Sequence, residues 1–301
     1  MKLLSIIGSS HIIEQHIETA LKCGFILQDI CTTNRKSKNI HRYSRKYKFK
    51  KIYFDWKKML KEHKKNNNIK NNYYLIAPRI QDTDLILNNF IKLSKKILVE
   101  KPVSLNSSVL KKYHKFNKHI YVGYNRIFYE SILELKKLKI NKSLIKVFLP
   151  ENNIENFKKN SCHIISILVF LFGEIKLINK IKRKNLIIVN FKDNKKNIIN
   201  LEIFYKASDN FSITIYNKNK THLLKPLENY KYYKDIRKYK LNKDTIFLPK
   251  LIRSNNEFRK DKLKPGFLKM WKSFRMSDHK IHPNNIVFAY KVMKICEEII
   301  K

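Results

Sequence analysis

The first 122 residues alternate short apolar runs with segments of helical periodicity, and this alternation constrains the fold more than any other feature. Strands are expected at six apolar runs, residues 3–7, 25–31, 52–54, 73–76, 96–99 and 119–122. Helices are expected between them, at residues 11–23, 55–63, 82–93 and 107–117, where apolar side chains recur every three or four positions. Strands that alternate with helices of this length form right-handed βαβ units around a parallel sheet.

A different pattern begins near residue 123. A helix is expected at residues 128–138, a strand at 144–149 and an apolar helix at 162–172. Five further strand-like runs follow without intervening helices, at residues 174–180, 186–191, 198–205, 211–216 and 221–224. Consecutive strands of this kind predict a largely antiparallel sheet. Residues 226–283 are expected to be irregular, and a last helix is expected at residues 284–300.

The predicted fold class is therefore α/β, with two domains. Residues 1–122 are expected to form a Rossmann-like, doubly wound parallel sheet. Residues 123–301 are expected to form an α+β domain with an open, largely antiparallel sheet. A chain of 301 residues with 43% apolar residues is long enough to bury a substantial core, so disorder is not expected.

The formal net charge of +41 is large, but it is spread along the whole chain. Lysine supplies 55 of the 65 basic residues, and the accompanying excess of asparagine and isoleucine indicates compositional drift. Basic runs at residues 36–51, 61–70 and 231–243 are therefore expected to be solvated faces and loops. Tyrosines at positions 230, 232, 233 and 239 leave base stacking as an alternative. No nucleic-acid-binding motif accompanies them, so no specific nucleic-acid partner is expected, and a positive field equally suits a phosphorylated small substrate.

The apolar stretches and the cysteines bear on location. The longest apolar stretch, residues 164–172, is too short to span a bilayer, so no membrane insertion is expected. The four cysteines are widely scattered and form no pair with metal-ligand spacing; they are Cys23, Cys31, Cys162 and Cys296. This usage favours reduced thiols in a cytoplasm, with no metal site.

Lys101 is the first candidate site residue. The apolar run at residues 96–99 stops abruptly at Glu100, Lys101 and Pro102. Because proline cannot continue a strand ladder and restricts the residue before it, Lys101 is held at a bend where a parallel strand ends. Ligands bind at that edge of open α/β sheets, and an X-Pro bond is one that can be cis. The alternative is an ordinary surface lysine, since the chain contains 55 of them.

The turn after the first strand is a partial match to the dinucleotide-binding fingerprint G-x-G-x-x-G. Gly8 occupies the first glycine position, whereas Ser10 and Ile13 occupy the second and third. A serine can still bring backbone N–H groups to a phosphate at a helix N-terminus. The alternative is an ordinary strand–helix turn.

Taken in order along the chain, a series of short motifs resembles the Gfo/Idh/MocA family of NAD(P)-dependent oxidoreductases, in a branch of polysaccharide and sugar-nucleotide pathways. The first motifs are Ile6-Ile7-Gly8, Leu75-Ile76-Ala77-Pro78, Glu100-Lys101-Pro102 and Gly123-Tyr124-Asn125-Arg126. The later ones are Cys162-His163, Leu171-Phe172-Gly173-Glu174, Lys225-Pro226-Leu227-Glu228 and Lys264-Pro265-Gly266-Phe267. The resemblance spans nearly the whole chain.

The resemblance implies a set of site residues and a hydride transfer between a nicotinamide and a hydroxyl or keto carbon of a sugar or nucleotide sugar. The implied cofactor-binding residues are Gly8, Ser9, Ser10, His11, Ile12, Arg35, Ala77, Pro78, Glu100 and Lys101. Lys101 would also bind the substrate oxygen and relay its proton, with His163 as the partner acid or base. The implied substrate-binding residues are Tyr124, Asn125, Arg126 and His163.

The resemblance also implies a cofactor, a cellular role and an assembly. No acid follows the second predicted strand to hold a ribose 2′-hydroxyl, and Arg35 suits a 2′-phosphate. We therefore expect NADP or NAD, with NADP favoured. A role in surface-polysaccharide biosynthesis and a homo-oligomer formed through the C-terminal sheet are further expectations.

Four departures from the family pattern support an alternative function. Aspartates that many members carry near the histidine are replaced by Lys159 and Ser166, a histidine is replaced by Asp82, and a second arginine is replaced by Ile127. The alternative is a catalytically impaired member that binds a nucleotide or sugar as a sensor or partner protein.

Overall fold

The computed structural model describes residues 2–32, 34, 37–65, 72–241, 244–259, 263–276 and 282–301. Arg35, predicted to bind the cofactor, lies outside the described residues. The chain divides into two compact units. The first contains Met1–Phe128 and Gly266–Glu297, and the second contains Tyr129–Pro265 and Glu298–Lys301. This grouping differs from a division at residue 123, because the chain returns to the first unit near its end.

The first unit is built on a six-stranded sheet in the order β3-β2-β1-β4-β5-β6, and all its strand pairings are parallel. Its strands are β1 (Lys2–Ile7), β2 (Phe25–Cys31), β3 (Lys51–Tyr53), β4 (Tyr73–Ile76), β5 (Lys96–Val99) and β6 (Ile120–Val122). Most residues of these strands are buried, which explains why most of them are apolar. The strand order reverses between β1 and β4, so the predicted Rossmann-like sheet is confirmed.

Helices connect these strands, and two more come from the end of the chain. They are α1 (His11–Lys22), α2 (Lys38–Lys46), α3 (Trp56–Lys65), α4 (Ile80–Phe90), α5 (Ser107–Lys111), α9 (Phe267–Met276) and α10 (Ile286–Ile300). Short 3-10 helices lie at His114–Phe116 and Asn125–Phe128. Helix α2 forms within the basic run at residues 36–51, which was expected to be a solvated face or loop; its basic side chains are mostly exposed, while Ile40 and Tyr43 are buried on the other face.

The second unit contains an eight-stranded sheet in the order β14-β13-β12-β11-β7-β10-β9-β8. Its strands are β7 (Leu144–Leu149), β8 (Ile175–Lys182), β9 (Leu186–Asp193), β10 (Ile198–Phe204), β11 (Ser212–Asn217), β12 (Lys220–Leu224), β13 (Asn229–Leu241) and β14 (Asp244–Asn256). Only β7 and β10 pair in parallel, so the predicted, largely antiparallel sheet is confirmed. Its helices are α6 (Glu130–Lys137), α7 (Ile154–Asn160) and α8 (Cys162–Phe172), and α8 is buried on nearly every side.

The expectation that residues 226–283 are irregular is wrong. Strands β13 and β14 pair as a long hairpin, and α9 follows. Most described side chains of the hairpin are exposed, so no alternation of apolar and polar residues marks it in the sequence. By contrast, α9 buries Phe267, Met270, Trp271 and Phe274 at helical spacing, a signal that was present in the sequence. Among the described residues, no helix is long and apolar enough to cross a membrane.

Candidate functional site

The carboxyl edge of the six-stranded sheet gathers most of the residues predicted from the sequence. In a parallel sheet, the segments that follow each strand emerge at the same edge. Gly8 follows β1, Ala77 and Pro78 follow β4, and Glu100 and Lys101 follow β5. Tyr124, Asn125 and Arg126 follow β6. All of them belong to the first unit, whereas His163 belongs to the second.

Gly8 is required by the packing of three strands. Its backbone φ is +134°, its N–H donates to the Cys31 carbonyl at 2.8 Å, and the Ala77 N–H donates to the Ile7 carbonyl at 2.7 Å. A Cβ at position 8 would lie 2.3 Å from the Ala77 carbonyl oxygen. The glycine therefore lets the turn after β1 lie directly against the turn after β4.

The next two residues leave the start of α1 open. The Ser9 hydroxyl lies 2.8 Å from that of Thr32 and accepts a hydrogen bond from the Ser37 hydroxyl at 2.9 Å. Ser10 precedes α1 in an extended conformation, is exposed, and makes no side-chain capping bond. The first-turn N–H groups of a helix have no intrahelical acceptor. The Ile13 N–H already donates to the Ser10 carbonyl at 3.0 Å, so the helix can present the N–H groups of exposed His11 and half-buried Ile12 to an anion.

The Glu100 side chain turns inward. Its Oε1 atom lies 2.6 Å from Nε2 of His16, and its Oε2 atom accepts the Lys101 backbone N–H at 3.1 Å. The carboxylate also packs against Gly123, where a Cβ would lie 2.8 Å from Oε1. The Lys101–Pro102 bond is cis, and Lys101 itself is half-buried. Glu100 thus braces the strand end, and Lys101 occupies the bend.

His16 and Trp271 are functional candidates that the sequence analysis missed. His16 is fully buried on α1, and its Nδ1 atom accepts a hydrogen bond from the indole N–H of Trp271 at 3.0 Å. One sequence signal was available, since His16 interrupts the apolar face formed by Ile13, Ile17 and Ala20. Trp271 is 255 positions away, and nothing local indicates the contact.

The end of β6 is held by the segment before α10. The Val122 N–H donates to the Asn284 carbonyl at 2.8 Å, and the Asn284 side-chain amide donates to the Val122 carbonyl at 2.6 Å. His282 bonds to Asn284 and to Ser273. Burial lowers the pKa of His282 to about 4. The hydrogen bonds between Val122 and Asn284 thus hold the chain just before buried Tyr124 and half-buried Asn125 and Arg126.

His163 lies in the first turn of α8 and is half-buried. The hydroxyl of Ser161, which precedes the helix, donates to the buried carboxylate of Glu151. The hydroxyl of Ser166 donates to the His163 carbonyl at 2.6 Å, so it bonds its own helix backbone. Glu151 was not predicted from the sequence. Burial and the charge of Glu151 raise the pKa of Tyr205, whose hydroxyl has no hydrogen-bond partner among the described residues.

A separate cavity of about 520 Å³ lies at the end of β3. Its lining residues include His41, Tyr53, Phe54, Lys58 and Glu62, and none of the predicted site residues lines it. The rings of His41 and Phe54 lie 5.8 Å apart. Within the described parts of the chain, no three side chains of the metal-ligating types form a cluster suited to an ion.

Comparison with known proteins relates the chain to solved structures only, since no protein-family model and no curated protein matches the sequence. The fold is shared with a dehydrogenase (MviM) from Clostridium difficile, with a TM-score of 0.72, 15% identity, and coverage of 99% of this chain and 98% of that one. It is also shared with UDP-N-acetylglucosamine 3-dehydrogenase GnnA from Acidithiobacillus ferrooxidans, with a TM-score of 0.72, 10% identity, and coverage of 99% and 96%. A levoglucosan dehydrogenase in complex with NADH and levoglucosan has a TM-score of 0.72 and 12% identity, with coverage of 99% and 96%. All three neighbours are named as dehydrogenases, and at these identities the likeness to this chain is one of fold.

Proposed function

We propose that the protein is an NAD(P)-dependent oxidoreductase that transfers hydride between the nicotinamide and a hydroxyl or keto carbon of a sugar or nucleotide sugar. The observation that carries the proposal is the position of Lys101. It lies on a braced bend at the carboxyl edge of a Rossmann-type sheet, one strand from the point where the strand order reverses. Dinucleotides bind at such reversal points.

The turn after β1 fits a dinucleotide. Its uncapped helix start offers backbone N–H groups and the positive end of a helix dipole to a diphosphate. Gly8, Ser9, Ser10, His11 and Ile12 form this turn and the first residues of α1. Ala77, Pro78, Glu100 and Lys101 are the proposed cofactor-binding residues at the ends of the neighbouring strands.

NADP is the favoured form of the cofactor. Residues 32–49, which follow β2 and include α2, contain no aspartate or glutamate that would repel a 2′-phosphate. The hydroxyls of Ser9, Thr32 and Ser37 form a neutral chain there, in which Thr32 donates to the Asn34 carbonyl at 3.1 Å. Arg35 completes the proposed set.

Lys101 is the proposed proton-transfer residue. When bound, the nicotinamide supplies or takes up the hydride. In the oxidative direction, the Lys101 amine accepts the proton of the substrate hydroxyl, and in the reductive direction its ammonium returns that proton. His163 is proposed as the second acid or base, on a helix start anchored by Ser161 and Glu151.

Sugars or nucleotide sugars are the proposed substrates. The solved structures that share the fold include enzymes named for UDP-N-acetylglucosamine and for levoglucosan. Tyr124, Asn125 and Arg126 supply an aromatic ring, an amide and a cation of the kinds that hold hydroxyls and phosphates. The net charge of +41 would favour encounter with an anionic nucleotide sugar.

Three further proposals concern the cellular setting: a role in surface-polysaccharide biosynthesis, a cytoplasmic location and a homo-oligomer formed through the eight-stranded sheet. The last is supported by apolar side chains that this sheet leaves partly exposed, among them Leu144, Leu177, Ile198 and Phe204.

The second candidate function is ligand binding without turnover. The observation that favours it is the absence of carboxylates at positions 159 and 166, on either side of His163. Such a protein would bind a nicotinamide dinucleotide or a sugar and act as a sensor or partner.

The test is fluorescence titration with NADPH and NADH, followed by turnover assays against a panel of sugars and nucleotide sugars. We expect Lys101→Met to lower kcat by about 10²- to 10⁴-fold while NADPH binding remains measurable, because the other proposed cofactor-binding residues are retained. Lys112→Met is the matched control, because Lys112 is exposed and paired with Asp84, and it should change neither quantity. If neither NADPH nor NADH binds at sub-millimolar concentration, the proposed function is contradicted. Binding without turnover on any substrate would favour the sensor.

A further inference from the structure

We propose that His16 and Trp271 are positioning residues for Lys101, acting through the carboxylate of Glu100. The inference rests on the proposed function, because it assigns a role to residues behind the lysine. Three hydrogen bonds carry it, and they join α9, α1 and the end of β5 within one unit.

The direction of each bond follows from the donor chemistry. An indole N–H can only donate, so Nδ1 of His16 is the acceptor and carries no proton. The imidazole proton is therefore on Nε2, which donates to Oε1 of Glu100 at 2.6 Å. The second carboxylate oxygen accepts the Lys101 N–H. Both oxygens of Glu100 thus have fixed donors, and the imidazole in this arrangement is neutral.

The surroundings allow the carboxylate little freedom. His16 is fully buried, and its ring lies 4.9 Å from that of Phe267 and 5.8 Å from that of Trp271. On the other side, the close approach of Gly123 leaves no room for a side chain. Without the histidine, Oε1 of the Glu100 carboxylate would lose the hydrogen bond that holds it, while Oε2 still accepts the Lys101 N–H.

The same helix serves both ends of the proposed site. The first turn of α1 begins beside Ser10, where the diphosphate is proposed to bind, and His16 lies on the second turn. A rigid helix therefore sets the distance between the diphosphate and the Glu100 carboxylate. Misplacement of a catalytic group by about 1 Å costs about 100-fold in rate.

The experiment compares substitutions that remove the hydrogen bonds with one that keeps them. His16→Leu removes both bonds, and Trp271→Phe removes the indole N–H while keeping an aromatic ring against Phe25 and Phe274. We expect kcat to fall about 10- to 100-fold in each, with NADPH affinity within threefold of wild type. His16→Gln supplies one donor and one acceptor, so we expect kcat within about fivefold of wild type. Thr19→Val is the control, since Thr19 is buried on the same helix and, among the described residues, its hydroxyl donates to the Gln15 carbonyl and contacts neither His16 nor Glu100 through a hydrogen bond.

A second measurement detects the hydrogen bond between Trp271 and His16 and does not depend on enzyme turnover. The chain has two tryptophans, so ¹⁵N-labelled protein gives two indole resonances, and His16→Leu should move one of them while Thr19→Val moves neither. The inference is overturned if His16→Leu and Trp271→Phe keep kcat within twofold, if His16→Gln loses as much as His16→Leu, or if no indole resonance moves. If the wild-type protein binds neither cofactor, the proposed function fails and this inference fails with it. If the wild type turns over substrate and His16→Leu and Trp271→Phe have the same kcat as the wild type, this inference is overturned and the proposed function stands.

Discussion

Gly8 and Ala77 lie so close that no side chain fits between them, because a Cβ at position 8 would be 2.3 Å from the Ala77 carbonyl oxygen. The two residues directly follow β1 and β4, the strands on either side of the reversal in strand order. The first glycine of the partial fingerprint is therefore explained by strand packing alone, whichever ligand binds there.

Gly8→Ala is expected to destabilise the protein by about 3 kcal/mol or more, since it adds a backbone overlap to an unfavourable positive φ. Gly24→Ala is the matched control in the same unit. Its φ is +73°, but the nearest atom to a new Cβ is the flexible end of Arg275 at 3.4 Å. We expect a cost of about 1 kcal/mol there. Urea unfolding followed by circular dichroism measures the loss of stability in both variants. Equal losses would contradict a steric overlap between a Cβ at position 8 and the Ala77 carbonyl oxygen.

Ser161→Ala should destabilise the second unit by about 1–3 kcal/mol, because it leaves an oxygen of the buried Glu151 carboxylate without its hydroxyl donor. The comparison is Ser208→Ala, an exposed serine, which should stay within about 0.5 kcal/mol of wild type. Chemical denaturation of the two variants gives the difference. An unchanged free energy of unfolding in Ser161→Ala would show that the hydrogen bond from Ser161 to Glu151 contributes nothing to stability.

Stability is expected to fall as the pH drops from about 6.5 to 4, in part through His222. Burial, reinforced by the charge of Lys220, lowers the pKa of His222 to about 4 from an ordinary value of 6.5. The unfolded chain therefore takes up a proton at a higher pH than the folded chain, and protonation favours unfolding. The contribution is fully present above pH 6.5 and decreases by about 3 kcal/mol on acidification to pH 4.

His222→Phe should reduce the slope of the unfolding free energy against pH by the equivalent of up to one bound proton. Urea unfolding at pH 4.5, 5.5 and 7 measures this slope. Tyr230→Phe is the companion variant. The Tyr230 hydroxyl lies 2.9 Å from Nδ1 of His222, so its removal should lower stability by about 1 kcal/mol without changing the slope against pH. An unchanged slope in His222→Phe would contradict the assignment.

The four cysteines should be unreactive in the folded protein. All are free and buried, and burial raises the pKa of Cys31 to about 12. The thiolate is the reactive form, and little of it exists at neutral pH in such surroundings. Titration with a disulfide reagent at pH 7.5 should detect almost no fast thiol in the native state and four after denaturation. A fast native thiol would mean that one of these residues is accessible.

Much of the secondary structure followed from the sequence because the elements concerned are buried. The expected strands at residues 25–31, 73–76 and 96–99 and the helix at 162–172 coincide with the observed elements. Their high share of apolar residues is the local consequence of burial. The carboxyl edge of the first sheet, and with it the bend at Lys101, followed from the same pattern.

Elements with mostly exposed side chains were missed for the opposite reason. Helix α2 is short, strongly basic and buries only Ile40 and Tyr43, and most described side chains of the β13–β14 hairpin are exposed, so neither element contains a long apolar run. The hairpin is held by backbone hydrogen bonds between its two strands, and such bonds leave no pattern in the side-chain sequence of either strand.

The sheet-forming runs, the turns that end them and the place of Lys101 at one strand end could be predicted from the amino-acid sequence, because each depends on neighbours a few positions away. The contacts that hold that strand end became visible in the folded chain. His16 and Trp271 meet across 255 positions, and Ser161 meets Glu151 across a helix. Such polar contacts depend on the packing of distant elements, and no local periodicity encodes which buried donor will face which acceptor.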